Sequence, residues 1–181
     1  YRGPDDDGLY IDGPLGFGFR RLSIIDLAGG HQPMADASGR WRVIFNGEIY
    51  NHNEVRRELV AKGYRFQTRS DTEVILHLMA RNPRADVVES LMVALAEVEG
   101  AYSLLLVTDS CLIAARDPHG FRPLAIAELN GFYCFASESC AFDLLGAKKL
   151  RELEPGEVAV ARGGRLESFR LAQKAEPSRC L

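Results

Sequence analysis

The sequence predicts an α+β domain of antiparallel sheets with helices packed on their outer faces. Two observations predict this class. Strand patterns come first, helical patterns follow, and a second run of strand patterns ends the chain with one short helix among them. This grouping disfavours a doubly wound parallel sheet, in which strands and helices alternate. Hydrophobic residues are 46% and charged residues 26% of the 181 residues, values typical of a globular protein with a buried core.

The charge balance and the cysteines exclude other classes of protein. The net charge is −3, from 22 Lys and Arg against 25 Asp and Glu, so the chain lacks the basic footprint of a nucleic-acid binder. Its apolar runs are far shorter than the ~18–20 residues of a membrane span. No CxxC spacing relates the cysteines and no HExxH relates the histidines, which disfavours a metal site and favours free thiols in a cytoplasmic protein. The cysteines are Cys111, Cys134, Cys140 and Cys180.

The first predicted elements are short strands. Residues 8–26 alternate weakly between apolar and polar and predict two strands with a reversal at Gly13. A third strand is predicted over residues 41–45. We expect it to end at Asn46-Gly47, a dipeptide suited to the positive φ of a tight turn.

Three helices are predicted next. The first covers residues 53–63, where Gly63 provides a stop. The second begins at a capping box, Ser70-Asp71-Thr72-Glu73, in which Ser70 accepts from the Glu73 N–H and the Glu73 side chain reaches back. Its apolar stripe ends before Pro83. The third runs from about residue 85 to residue 98.

After Gly100 the apolar period changes to two, which predicts strands. These strand patterns, interpreted as an antiparallel meander, cover residues 102–108, 111–115, 124–128 and 132–136. A short helix follows from Ser137 to Gly146, and we interpret its Cys140 as a small buried thiol. Two last strands flank residues 162–164, and residues 172–181 have the composition of a linker.

Charged and amide residues are concentrated in five short motifs at strand ends and helix starts, where proteins hold ligands. The motifs are RGPDDDG at residues 2–8, RLSIID at 21–26, GHQPM at 30–34, FNGEIYN at 45–51 and SDTE at 70–73. The chain has no GxSxG elbow and no GxxxxGK[ST] phosphate loop, so a serine-hydrolase elbow and a P-loop are excluded.

These motifs resemble the glutaminase domain of class II glutamine amidotransferases, a branch of the N-terminal nucleophile hydrolases. Up to about residue 76, RGPDDDG, RRLSIIDLAGGHQPM and FNGEIYNHNEVRREL are similar to the asparagine synthetase branch. From about residue 78, GAYSLLLVTD, ARDPHGFRPL, FASESCAFDLLGA and LEPGEVAVA are similar to the amidophosphoribosyltransferase branch. We interpret the chain as a chimera of the two branches, recombinant or designed, or as an unusual intermediate.

The resemblance implies a fold and a domain organisation. The fold is a four-layer αββα N-terminal nucleophile hydrolase sandwich of antiparallel sheets that lacks its N-terminal strand. Residues 1–171 would form an N-terminally truncated glutamine amidotransferase domain, and residues 172–181 a linker to an absent second domain. No cofactor is expected in this domain, because ATP or phosphoribosyl pyrophosphate would belong to the second one. Nucleic acid and membrane are not expected as partners, and a homo-oligomer is left open.

The resemblance also implies a reaction. The family hydrolyses L-glutamine to glutamate and ammonia, and the ammonia passes to a partner synthetase or transferase domain. Asparagine synthesis is the preferred use of the ammonia, because the motifs nearest the substrate are similar in sequence to those of the asparagine synthetase branch. The alternatives are the amidophosphoribosyltransferase of purine synthesis and a glutamine-binding module without chemistry.

Four residues are implied to bind the three polar ends of the substrate. Arg21 matches the arginine that holds the glutamine α-carboxylate, a task suited to a guanidinium fork. Asn46 and Gly47 match the oxyanion hole, through a side-chain amide and a backbone N–H. Asp71 matches the acid that meets the α-ammonium. The plainer interpretations stay open: a surface arginine, an Asn-Gly turn, and a helix N-terminal charge.

Further residues are implied to complete the pocket. They are Leu22, Ile24 and Ile25, which would line it, and Glu48, which follows the oxyanion pair. The family's nucleophile is a cysteine at the start of the mature chain, with its own α-amino group as base. That cysteine lies upstream of the Arg-Gly-Pro-Asp motif, and none of this chain's four cysteines is near the substrate motifs. We therefore expect these 181 residues to hold a glutamine pocket without its nucleophile and to be inactive alone.

Overall fold

The computed structural model describes residues 6–13, 15–21 and 30–172, and at Arg21 the backbone alone. The first half contains β1 (Asp6–Asp12), β2 (Leu15–Arg21), β3 (Met34–Ala35), β4 (Arg42–Ile49), α1 (His52–Ala61), α2 (Thr72–Arg81) and α3 (Val87–Leu95). The second half contains β5 (Gly100–Val107), β6 (Leu112–Arg116), β7 (Ala125–Leu129), β8 (Phe132–Ala136), α4 (Cys140–Leu145), β9 (Lys148–Glu152), β10 (Glu157–Arg162) and β11 (Arg165–Arg170). None of these helices combines the length and the hydrophobicity that a bilayer crossing needs.

A six-stranded antiparallel sheet, in the order β11-β10-β6-β5-β4-β3, forms the centre of the domain. Its side chains alternate between two faces, as the pleat of a strand requires. On β4, Val43 and Phe45 belong to the large core shared with α1, α2 and α3. Ile44, between them, belongs to a different cluster on the other face. The three helices therefore cover one face of this sheet and form the first outer layer.

The second face of the sheet is covered by more strands. The β1-β2 hairpin packs there through Phe17, which lies against Ile44. A three-stranded sheet, in the order β8-β7-β9, packs beside it and places Ile126 against Ala159 of the central sheet. On the outer side of the three-stranded sheet, Phe142 of α4 is buried. The order of layers is helix, sheet, sheet, helix, so the predicted αββα sandwich is confirmed.

Two predictions about strands are wrong. The predicted meander is divided, because β5 and β6 pair in the central sheet whereas β7 and β8 pair in the other sheet. The loop after Asp117 carries the chain from one layer to the next. The third predicted strand also does not end at Asn46-Gly47, since β4 continues through both residues to Ile49 in register with β5. The short β3 and the exposed β9 carry too little apolar pattern to be recognised in the sequence.

The predicted capping box is wrong in its partners. Asp71 is the N-cap of α2, and its side chain accepts from the Thr72 N–H. The Glu73 carboxylate turns instead to the preceding loop, where it accepts from the Gln67 N–H at 2.7 Å and the Thr68 N–H at 2.8 Å. In this position the Glu73 carboxylate accepts from two backbone N–H groups, whereas in a capping box it would accept from only one. The two hydrogen bonds together favour the contact with the loop.

The predicted burial of Cys140 is also wrong. Cys140 is the first residue of α4, and its thiol is exposed. Phe142, two residues later, is the side chain of α4 that packs against the sheet. Because α4 has only six residues, one side of its single full turn remains in solvent.

A salt bridge between β9 and β10 makes stability depend on pH. Burial alone would raise the pKa of Glu157, but hydrogen bonds from Arg151, the Glu154 N–H and Ser168 outweigh it and lower the pKa from 4.5 to about 2. A lowered pKa in the folded state stabilises the fold above the unfolded pKa, and this stabilisation is lost as the pH falls toward the folded pKa.

We therefore expect Glu157→Gln to destabilise the protein at pH 7 and to have a shrinking effect as the pH falls from about 4.5 toward 2. Urea unfolding midpoints of wild type and variant at several pH values measure the difference. Glu167→Gln, at an exposed position of β11, is the control. A gap between wild type and Glu157→Gln that stays constant with pH would contradict the role given to this carboxylate.

Candidate functional site

The candidate site lies where the end of β4 meets the start of α2. Asp71 is only 6% exposed and joins the two elements. Its Oδ2 accepts from the Ile49 N–H at 2.9 Å, and its Oδ1 accepts from the Thr72 N–H at 2.9 Å. Ile49 is the last residue of β4. The structure therefore brings the predicted acid beside the strand that carries the predicted oxyanion pair, Asn46 and Gly47.

The outer edge of β4 presents three backbone N–H groups in a row, and we call it the β4 edge. β3 pairs with β4 only at Val43 and Arg42, so no described strand covers this edge beyond Val43. In an antiparallel strand, N–H groups two residues apart point to the same side. The Phe45 N–H donates to Gln32 Oε1 at 2.7 Å, and the Ile49 N–H donates to Asp71. The N–H of Gly47 lies between these two, points the same way, and has no acceptor among the described residues.

Gly47 is a position of β4 at which a side chain would collide with β5. It lies opposite Tyr102, and a Cβ at Gly47 would be 2.1 Å from the Ala101 oxygen and 2.6 Å from the Tyr102 Cα. Only glycine fits such a contact with backbone atoms. The alternative interpretation of Asn46-Gly47 as a plain turn is therefore wrong, because both residues lie within a paired strand.

Asn46 and Glu48 lie on the face of β4 opposite the large core. Asn46 is half-buried and lies opposite Ser103 of β5, and no described residue hydrogen-bonds to its side-chain amide. Glu48 is exposed. The β1-β2 hairpin packs against the same face through Ile44. A half-buried side-chain amide without a partner among the described residues is available to a ligand.

Of the remaining predicted site residues, the structure describes only the backbone of Arg21. Arg21 is the last residue of β2, where its backbone pairs with Asp6. The Arg21 side chain, the predicted pocket-lining residues Leu22, Ile24 and Ile25, and residues 173–181 of the predicted linker lie outside the described residues. The site roles of these residues stay predictions, as does the linker.

A network behind the site holds the start of α2 in place. Arg56 donates to the Thr68 oxygen at 2.8 Å and to the Ser70 oxygen at 2.7 Å, and its guanidinium stacks over Phe66 at 4.0 Å. Burial would raise the pKa of Glu73, but hydrogen bonds from residues 67, 68 and 77 outweigh it and lower that pKa below its ordinary value. The role of Arg56 could not be predicted from the sequence, because no neighbouring residue indicates that its side chain reaches a loop twelve residues away.

None of the described cysteines lies on β4 or α2, the two elements that form the candidate site. Cys111 is buried in the turn that joins β5 to β6, beyond the end of β5 remote from Gly47. Cys134 is on β8, and Cys140 lines a surface depression of about 440 Å³ at the start of α4. A second depression, of about 470 Å³, lies between the β5–β6 turn and the start of α3. Within the described ranges, no three His, Cys, Asp or Glu residues are grouped to hold a metal ion.

Comparison with known proteins is consistent with this geometry. Residues 1–164 match the glutamine amidotransferase domain. Over 140 residues the chain is 45% identical to the glutamine-hydrolyzing asparagine synthetase 1 of Bacillus subtilis (strain 168), covering 76% of this chain and 21% of that protein. Over 118 residues it is 46% identical to the amidophosphoribosyltransferase of Rhizobium etli, covering 65% of this chain and 24% of that protein.

A solved structure of an amidotransferase has the same fold as this chain. The glutamine phosphoribosylpyrophosphate amidotransferase of Bacillus subtilis, in complex with ADP and GMP, superposes with a TM-score of 0.80 at 34% identity. The match covers 88% of this chain and 35% of that one. The chain thus spans between about a fifth and a third of the length of these relatives. Both predicted branches occur among them, and the matched span and shared fold show that the chain belongs to the class II glutamine amidotransferase domains.

Proposed function

We propose that this domain binds L-glutamine at the β4 edge and, together with the family's cysteine nucleophile, releases the side-chain amide nitrogen as ammonia for a second catalytic domain. The observation that carries the proposal is the Gly47 N–H, which has no acceptor among the described residues and lies between two N–H groups held by Gln32 and Asp71. A fixed donor of this kind stabilises the charge that develops on the amide oxygen in the tetrahedral intermediate.

Each polar end of glutamine has a proposed partner. The Asn46 amide and the Gly47 N–H receive the side-chain carbonyl oxygen, and Glu48 lies beside that pair. Asp71 receives the α-ammonium: two backbone donors occupy one acceptor site on each of its oxygens, and a carboxylate offers about four such sites. Arg21 receives the α-carboxylate in a two-point contact. Leu22, Ile24 and Ile25 line the pocket between them.

Calorimetric titration of the 181-residue chain with L-glutamine tests the pocket. We expect saturable binding that Arg21→Ala and Asp71→Asn each weaken by roughly 10- to 100-fold, because each removes one charge partner of the ligand. Asp86→Asn is the matched control, since Asp86 caps α3 as Asp71 caps α2, by accepting from a backbone N–H. Unchanged affinity in both site variants, or a complete lack of binding by the wild type, would refute the placement.

Ammonia release by the same protein tests the chemistry separately. We expect the 181 residues to bind glutamine without appreciable turnover, because none of the described cysteines lies on β4 or α2 and loss of a nucleophile commonly costs orders of magnitude in rate. Joining the chain to a segment that begins with the family's cysteine is expected to restore release. Turnover at an ordinary enzymatic rate by the 181 residues alone would show that one of the present groups serves as nucleophile.

Two acceptors are supported for the ammonia. Asparagine synthesis is our preferred proposal, supported by the front motifs and by 45% identity to an asparagine synthetase over 140 residues. The formation of phosphoribosylamine is the alternative, supported by the rear motifs and by the match to a PRPP amidotransferase structure. An ATP-pyrophosphatase domain following Leu181 in the parent protein would support the first, and a phosphoribosyltransferase domain the second.

A further inference from the structure

Gln32 belongs to the motif at residues 30–34, and no residue of this motif is among the proposed contacts with glutamine. It is a polar residue with only 3% of its surface exposed. Burying an amide is costly unless its donor and acceptor are satisfied. Both ends of this amide are satisfied, and both by elements of the candidate site.

The acceptor end of Gln32 holds β4. Its Oε1 accepts from the Phe45 N–H at 2.7 Å, which is the first of the three N–H groups on the β4 edge. Asp71 holds the third, at Ile49. Gln32 and Asp71 therefore fix the strand on both sides of Gly47, and the direction of the Gly47 N–H follows from these two contacts.

The donor end of Gln32 holds α2. Its Nε2 donates to Thr72 Oγ1 at 3.3 Å, and Thr72 directly follows Asp71. The orientation of the amide is set by chemistry, because a backbone N–H such as that of Phe45 requires the oxygen to face it. A single buried side chain thus spans from the strand with the oxyanion donors to the helix with the ammonium partner.

The backbone of Gln32 also contacts the β1-β2 hairpin. A Cβ at Gly8 would lie 1.7 Å from the Gln32 carbonyl oxygen, so the hairpin backbone rests directly on this residue. Gly8 pairs with Phe19, two residues before Arg21. All three elements that carry predicted glutamine contacts therefore meet at Gln32.

We propose that Gln32 is a positioning residue for glutamine, which sets the separation between the oxyanion donors on β4 and Asp71 on α2. This proposal rests on the proposed function. The amide end and the ammonium end of glutamine bind at two places, and Gln32 fixes the distance between them. Gln32 thereby contributes to selection of a ligand by its length. L-Asparagine, which is one methylene shorter, fits that spacing less well.

Affinities for L-glutamine and L-asparagine test the proposal in Gln32→Met, a variant of similar length and volume that makes neither hydrogen bond. We expect glutamine binding to weaken about tenfold and the preference for glutamine over asparagine to fall by a similar factor. Thr72→Val removes only the hydrogen bond between Gln32 and Thr72 of α2, and we expect it to reduce the preference for glutamine over asparagine by a smaller factor. If Gln32→Met does not fold, the preference is measured in Thr72→Val instead.

Ser90→Ala is the control for mere loss of stability. Ser90 is 1% exposed, and its hydroxyl accepts from the Arg84 N–H beside α3, away from the β4 edge. We expect this variant to keep the preference for glutamine, because partial unfolding lowers the apparent affinity for both ligands by the same factor. If wild type binds glutamine and both Gln32→Met and Thr72→Val keep the wild-type preference, Gln32 is structural only. If wild type binds neither ligand, the proposed function fails and this proposal fails with it.

Discussion

Gly47→Ala is expected to lower the free energy of unfolding by about 2–4 kcal/mol and to abolish measurable glutamine binding. The added Cβ would lie 2.1 Å from the Ala101 oxygen and 2.6 Å from the Tyr102 Cα. These are backbone atoms of the neighbouring strand, so no side-chain rotation relieves the contact. The two strands must separate at this point, and the Gly47 N–H then leaves the position that the flanking contacts of Phe45 and Ile49 define.

The matched control for this prediction is Gly18→Ala. Gly18 also lies in a strand, β2, but no atom lies within 4 Å of a Cβ at that position. We expect this variant to unfold at the wild-type urea concentration or slightly above it, because alanine has less conformational entropy to lose than glycine. Urea unfolding followed by circular dichroism compares the two variants. Equal midpoints for Gly47→Ala and Gly18→Ala would show that β4 and β5 accommodate the methyl group.

The sequence predicted the family and the layers of the fold but not the conformation at this glycine. Asn46-Gly47 has the composition of a hairpin turn, and local preference alone gives no reason to continue a strand through it. Pairing with β5 decides the outcome, since eight residues of β4 lie in register with β5. The paired residues of β4 and β5 are more than fifty positions apart in the chain, so local sequence does not reveal the pairing.

The same reason limits prediction of the site. Arg21, Asn46, Gly47 and Asp71 were identified because their motifs resemble those of a family. Gln32 was noticed only as part of a motif, because its role depends on Phe45 and Thr72, thirteen and forty residues away. Glu73 shows the converse case: its local spacing predicts a capping box, and a loop that folds back on the helix takes the side chain instead.

Asp117 is fully buried and lies where the chain passes from the central sheet to the three-stranded sheet. Its carboxylate accepts four backbone hydrogen bonds. Oδ1 accepts from the N–H groups of His119 and Phe121, at 3.0 and 3.1 Å. Oδ2 accepts from those of Arg122 and Tyr102, at 3.0 and 3.3 Å. The loop that carries the chain from β6 to the second sheet is therefore built around this side chain.

Asp117→Asn is expected to destabilise the protein by about 3–5 kcal/mol, because an amide keeps one acceptor oxygen and turns its NH₂ toward two backbone donors that are buried with it. The side chain keeps its shape, so the loss reports the hydrogen bonds and the charge of the carboxylate and not a change in packing. For a chain of this size the melting temperature should fall by roughly 6–20 °C. Asp109→Asn, at an exposed position in the β5–β6 turn, is expected to melt within about 1–2 °C of wild type. Because Tyr102 lies opposite Gly47, we expect Asp117→Asn also to weaken glutamine binding in the protein that remains folded. A melting temperature equal to that of Asp109→Asn would mean that the loop finds other acceptors, and that the path between the two sheets is fixed by packing instead of this carboxylate.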